Sequence, residues 1–387
     1  MPANIDKAVD IMKLTSRERL TRIHENKEVD RPALKLWGFS PGMKPLTEAY
    51  RPVLDAAMKY TDLVLSGGSP FNFLAGRFHR DIVISHEDHP TSSPLWCDSV
   101  KVIRTPKGDL TTTHRYSTVG EPGYTMDYLI KEPGDIDRLL SLPYEPRPVE
   151  MDSYYEADRT AGDRGLALFN IEHAGYGLQN LCGSETISYL KADAPEKVDE
   201  ILSVFASRLY NHVKAVLDAG HRPIFGWVGP ELLIPPLMSP DDFENYVFKY
   251  DKPLCDLIHN AGCRVWVHCH GKVANFVSRF IDMGVDVLNP LEPPSQNGDA
   301  DLNALVNRYG NTIGWEGNIE IQSLIESERE QLRGQIDECV GAGARSGRFI
   351  LCPSAGFSEY INPSERYIEN LLEYLTYGYE KVCAAGR

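Results

Sequence analysis

Four side chains of zinc-ligand type stand just after short apolar runs. They are His268 and His270 in VWVHCHG, Glu292 in VLNPLEPP and Cys352 in FILCPSAG. Imidazole, carboxylate and thiolate all bind zinc, and catalytic sites of this kind keep a position open for exchange. Each run reads as a buried parallel strand, and a barrel of such strands gathers its C-terminal ends at one mouth, where residues distant in sequence meet. Side chains alternate faces along a strand, so His268 and His270 point one way and Cys269 the other. Gly271 then permits a sharp turn or a close approach by substrate. Taken singly, each residue has a plainer reading: histidines hydrogen-bonded at a strand end, a solvated loop Glu, a small buried thiol. Their conjunction after the fifth, sixth and eighth strands points to a metalloenzyme.

Other polar and aromatic residues share that expected mouth. Trp37 and Phe39 follow the first strand, Glu172 and His173 the third, Trp227 and Glu231 the fourth, and Trp315 and Glu316 the seventh. Together they would make an aromatic-walled pocket whose carboxylates orient or protonate a substrate. Core packing is the alternative for the aromatics. Neighbouring Gly and Pro residues suggest surface loops for Glu231 and Glu316.

The elements that must position these residues alternate strand and helix. A helix in SRERLTRIH precedes ALKLWG, a first strand near 33–37; a helix over roughly 46–59 precedes DLVLSGG, a second strand around 62–66. Residues 80–130 change period to two, with a PKGD turn, and read as an antiparallel β insertion. From GLALFNIEH onward the alternation returns through RPIFGWVGPE, CRVWVHCHG, DVLNPLEPP, NTIGWEGN and RFILCPSAG, and a final helix closes in SERYIENLLEYLTYGYEKV. Eight strand candidates, nearly all followed by helices, predict a (β/α)8 TIM-type barrel in the α/β class, read as a single domain over 1–387. No G-x-G-x-x-G or P-loop motif supports an open nucleotide-binding sheet.

Composition narrows the function. Against 40 Lys+Arg stand 55 Asp+Glu, a formal charge of −15 over 387 residues, which argues against a nucleic-acid or anionic-membrane surface. No stretch approaches the roughly 18 apolar residues of a membrane span, and MPANIDKAVDIMKLTSRERL has no signal-peptide core, so a cytoplasmic protein is expected. The eight cysteines show no regular disulfide spacing. The sequence leaves the oligomeric state open, a homodimer being one option.

The stretches GWVGPELLIPPLMSPDDFENYVFKYDKPLCDLIHNAG, VHCHGKV, DVLNPLEPP, DLNALVNRYGNTIGWEGNIEI, RFILCPSAG and NPSERYIENLLEY resemble the uroporphyrinogen decarboxylase superfamily, and within it the cobamide-dependent methyltransferases. That resemblance implies zinc held by His268, His270, Glu292 and Cys352, and a corrinoid carried by a partner protein. His270 stands where many relatives have Cys. Imidazole in place of thiolate makes the metal a stronger Lewis acid, favouring demethylation of a methoxy or methylamine compound over methylation of a thiol. Glu231 or Glu316 would protonate the leaving atom. Two rivals are a metal-independent decarboxylase and a non-enzymatic barrel. For uroporphyrinogen itself, KLWGFSPGMKP lacks the Arg that would grip an octa-carboxylate.

Overall fold

The computed structural model describes residues 13–68, 82–119, 122–296, 298–357 and 359–386. Its strands, in chain order, are β1 (Ala33–Leu34), β2 (Leu63–Gly67), β3 (Ile84–Pro90), β4 (Trp96–Thr105), β5 (Gly108–Ser117), β6 (Tyr124–Asp127), β7 (Gly165–Asn170), β8 (Ile224–Val228), β9 (Arg264–Cys269), β10 (Val287–Pro290), β11 (Gly314–Ile319) and β12 (Phe349–Pro353). Eight of them form one curled parallel sheet in the order β1-β12-β11-β10-β9-β8-β7-β2, the cyclic order of a TIM-type barrel. The expected fold class is therefore the one found. All eight expected barrel strands are present, and the two-residue period of 80–130 corresponds to the antiparallel sheet β3-β4-β5-β6; residues 80, 81, 120 and 121 lie outside the described residues.

Parallel strands covered on both faces must be apolar throughout. β12 is buried at all five positions, and β7 at five of six. One face packs inside the barrel, where Ala33, Leu166, Leu168, Trp266, Val287, Ile350 and Cys352 cluster. Leu20 and Ile23 join that cluster from the helix Ser16–His24, whose Thr15–Glu18 capping box fixes its start. They meet the first residues of the strands, so this helix plugs the end opposite the mouth. The other face packs on the outer helices, among them Pro195–Asp218 and Glu365–Ala384.

The sheet has a seam between β1 and β2, where the described residues show no ladder. Asp62 bridges it: its N–H donates to the Leu34 carbonyl at 2.7 Å, and its carboxylate accepts from Leu34 N at 2.9 Å. Arg19 and Arg31 donate to the same carboxylate at 2.7 and 3.2 Å. Two local departures from the expected elements stand out. The helix expected over 46–59 begins at Arg51 after a short 3-10 turn, and the helix Ala174–Asp193 is broken at Gly183, whose φ of 70° is left-handed.

Candidate active site

The strand alternation turns Lys35, His268, Asn289, Glu316 and Cys352 toward the barrel interior, near the C-terminal ends of their strands. Asn289 pairs with His268 in register between β10 and β9. Glu316, 1% exposed, accepts three hydrogen bonds: from Lys35 Nζ at 2.6 Å, Trp266 Nε1 at 2.8 Å and Asn289 Nδ2 at 3.1 Å. All three contacts use the Glu316 side chain as an acceptor, which ties its oxygens to Lys35, Trp266 and Asn289. The expectation of a loop for Glu316 is corrected: it lies inside β11, beside Lys35.

Because Asn289 gives its amide N–H to Glu316, its Oδ1 faces the His268 ring, 2.5 Å from Nδ1. An oxygen there requires Nδ1–H, which leaves the Nε2 lone pair free. Burial, with the neighbouring His270 charge, pulls His268 down to about 3, so the ring is neutral. His270 lies beside it, ring centroids 4.4 Å apart. Its Nδ1 meets Glu292 Oε1 at 2.7 Å, and Glu292 Oε2 accepts from Gly271 N at 2.5 Å. Gly271 has φ +80°, the tight turn expected of it. Burial works against the charge on His270, but the Glu292 hydrogen bond and the charges of Glu292, Glu231 and Glu320 outweigh it and raise its pKa. Burial pushes both Glu231 and Glu320 up, and each has a buried Oε2 without a partner.

Cys352 is fully buried in the interior layer, its thiol held well above the ordinary range by burial, with Lys35 pulling the other way. Cys269 is buried among the outer-face residues, as the alternation required. The donor chemistry suits zinc: a neutral imidazole with Nε2 free and its other nitrogen donating to a second residue is how metal-binding histidines are held. The geometry is less complete. Among the described residues, no three His, Cys, Asp or Glu side chains form a group that could hold a metal. His270 is turned to Glu292, and Asn289 and Glu316 lie next to Cys352.

Beside His268 opens a cavity of about 310 Å³, lined by Lys35, Trp37, Trp266, Asn170, Glu172 and Tyr176 among others. Trp37 stands edge-on to the His268 ring at 4.5 Å, and Trp266 stacks on it at 6.1 Å. Gly229, with φ +112°, lets the Tyr176 ring lie where a Cβ would be, 2.2 Å from the nearest ring carbon. Burial alone pushes Glu172 up to about 7. A larger hollow of about 600 Å³ lies outside the barrel wall against the helices Leu302–Tyr309 and Arg329–Gly343. Its lining holds neither histidine nor aromatic ring among the described residues, so the smaller cavity is the better substrate pocket.

The expected pocket residues therefore divide. Trp37 and Glu172 line the cavity. Trp227 borders it, but its ring belongs to the core between barrel and helices. Trp315 faces away, fully buried, its Nε1 donating to the Gly310 carbonyl at 2.8 Å. His173 is fully buried outside the cavity lining, 3.5 Å from Asp251, where burial drags it to about 3. Phe39 is core. Glu231 sits in the 3-10 turn Pro230–Leu233, half-buried near His270. Sequence reasoning passed over Lys35, Asn289 and Glu320. A lysine inside the apolar run ALKLWG was the available signal, since a charge at a strand position of a buried sheet needs a partner.

Residues 181–366 match the family model described as uroporphyrinogen decarboxylase (URO-D). A uroporphyrinogen decarboxylase from Carboxydothermus hydrogenoformans is 24% identical over 229 residues, 57% of this chain and 59% of that protein. One from Prochlorococcus marinus is 26% identical over 145 residues, 35% of this chain and 37% of that protein. The aligned portion thus spans less than two thirds of either relative. Among solved structures, a methyltransferase from Methanosarcina mazei superposes with a TM-score of 0.58 at 13% identity, over 95% of this chain and 98% of that one, a likeness of fold. Among the described residues no helix is long and apolar enough to cross a membrane. β8 to β12 and the residues His268, His270, Asn289, Glu292, Glu316 and Cys352 all lie inside the region that matches the uroporphyrinogen decarboxylase family model.

Proposed function

We propose that this chain is a zinc-dependent methyltransferase, the component that takes a methyl group from a small methoxylated or methylamine-type donor and passes it to a corrinoid protein. The observation that carries the reading is His268: fixed as the Nδ1–H tautomer, with Nε2 free, against two tryptophans of a small-molecule cavity. His268, His270, Glu292 and Cys352 would hold the zinc, which when bound would supply Lewis acidity toward the heteroatom that bears the methyl group.

The chain's own residues bind, orient and move protons. Trp37 and Trp266 fix the donor beside His268, and Glu316 holds Asn289 and hence the His268 tautomer. The leaving oxygen or nitrogen keeps the bonding pair and needs a proton. Glu172, in the cavity and held near 7, and Glu231, on the His270 side, are the carboxyls able to supply one. Leu46, Leu237, Tyr360 and Ile361 expose 46–69% of their surface on the loops after β1, β8 and β12, an apolar rim suited to a partner that covers the mouth.

The printed names of the curated relatives favour a second reading, decarboxylation. A tetrapyrrole with many carboxylates needs several cationic clamps, and Lys35 is the one cation among the cavity's described lining residues. Metal analysis of the purified chain, followed by an assay of methyl transfer to reduced cobalamin, tests the proposal. About one zinc per chain with transfer supports it. A chain that takes up no zinc and releases carbon dioxide from a carboxylated pyrrole would replace it with the decarboxylase. Zinc together with methylation of a thiol by methylcobalamin would make it the partner enzyme.

A further inference from the structure

Lys35 is a buried cation that the proposed chemistry leaves unused. It lines the cavity at 3% exposure, and of its three N–H donors one is committed to Glu316 Oε1. Its backbone is pinned from two sides: Lys35 N donates to the Leu351 carbonyl at 2.9 Å, and Tyr374 Oη donates to the Lys35 carbonyl at 2.7 Å. Burial pulls its pKa down, but the Glu316 carboxylate more than offsets this, and the ammonium stays charged. The charge lies 5.4 Å from the Trp37 ring centroid and 5.1 Å from that of Trp266.

These contacts bear on what the cavity can hold. An aromatic cage for a methylated ammonium offers its ring faces to the ligand's charge. Here both tryptophans are already engaged by the protein's own cation, which would repel a second. Glu172, the one carboxyl among the cavity's described lining residues, has no ion-pair partner among the described residues, and at about 7 it is not a full counter-charge at neutral pH. Among the described residues, the Lys35 N–H groups not bonded to Glu316 have no hydrogen-bond acceptor. A ring oxygen supplies one, and the flat apolar body of an arene suits walls made by Trp37, Trp266 and Tyr176. At about 310 Å³ the space is at the small end of ligand pockets, roughly 300–1,000 Å³.

We infer that this cavity takes an oxygen-substituted arene, with the methyl donor being an aryl methyl ether whose ring oxygen accepts from the Lys35 ammonium, and that it rejects methylated ammonium donors. The inference deepens the methyltransferase reading and rests on it for the word donor.

The test is a binding titration of the full chain, followed by tryptophan fluorescence and calorimetry, with 2-methoxyphenol, 1,2-dihydroxybenzene and tetramethylammonium as probes. The two phenols should saturate the signal and tetramethylammonium should not. Ser66→Phe, which fills the cavity from β2, should abolish phenol binding. The paired change Lys35→Met with Glu316→Gln removes both charges together, so neither is left buried alone, and should weaken binding about tenfold or more, as for loss of a charge-assisted hydrogen bond. Binding of tetramethylammonium as tight as that of the phenols, no phenol binding at all, or wild-type phenol affinity in the paired variant would overturn the inference. A methyl-transfer assay separates the two claims. Transfer from a tetramethylammonium donor in preference to 2-methoxyphenol keeps the methyltransferase and sinks the aryl ether. Phenol binding without any transfer sinks the methyltransferase and leaves the oxygen preference of the cavity standing.

Discussion

Asn289 fixes the tautomer of His268. Its amide N–H is taken by Glu316 at 3.1 Å, so its oxygen must accept from His268 Nδ1 across 2.5 Å, and Nε2 keeps its lone pair. The chain Lys35–Glu316–Asn289–His268 thus converts an ion pair inside the barrel into the orientation of one ring at its rim.

Asn289→Ala should break that chain without touching a proposed ligand. Partners of this kind contribute about 10–100-fold to metal affinity, and a zinc competition titration against a chromophoric chelator would read the loss. Asn289→Asp, which still accepts from Nδ1, should recover much of it. Wild-type affinity in the alanine variant would mean that the tautomer is held in some other way.

Removing a proposed ligand should act more severely. His270→Ala and Cys352→Ala are expected to lower zinc content by an order of magnitude or more, the fold being retained as judged by circular dichroism. Because Cys352 is a buried thiol well above its ordinary pKa, zinc uptake through it must release a proton, which a weakly buffered titration would detect. Undiminished zinc in both variants would remove these residues from the site.

The His270–Glu292 pair sets a pH dependence of opposite sign at its two ends. His270 is raised above its ordinary 6.5, so its contribution is complete below 6.5 and is lost as pH rises through the higher folded value. Glu292 is lowered from 4.5, so its contribution is complete above 4.5 and is lost as pH falls through the lower folded value. The stability that the pair adds should therefore be greatest between about 4.5 and 6.5 and fade on both sides. Urea denaturation across pH, compared with Glu292→Gln, would show this. A difference between the two proteins that is flat with pH would contradict it.

Much of this was legible because parallel barrel strands announce themselves as short, uninterrupted apolar runs, and because a two-residue period places His268 and His270 on one face. The insertion was equally plain from its change of period. Parity was the instrument left unused elsewhere. Trp315 is adjacent in β11 to inward-facing Glu316 and so faces outward, and Trp227 neighbours Gly226 and Val228, which face the cavity, in the same way. Spacing alone cannot tell a mouth aromatic from a core one, but alternation from a fixed inward neighbour can. Asn289 was out of reach on different grounds, because its role depends on a contact with Glu316, 27 residues away on the next strand.

The Lys35–Glu316 pair ties function to stability, and a double-mutant cycle would measure how tightly. Both side chains are almost wholly buried, 4% and 1% exposed, and the bond between them is 2.6 Å long. Losing one partner strands the other's charge in low dielectric, a cost of about 3–5 kcal/mol, whereas removing both can be close to neutral. Lys35→Met should thus destabilise strongly in urea, since Glu316 would keep only the Trp266 and Asn289 donors. Glu316→Gln should do the same, leaving Lys35 with no anion. The combined variant should be more stable than the sum of the single losses by more than the roughly 0.5 kcal/mol expected of independent sites. Additive losses would mean that the two charges are held separately, and the oxygen-binding role assigned to Lys35 would then have to be argued without Glu316.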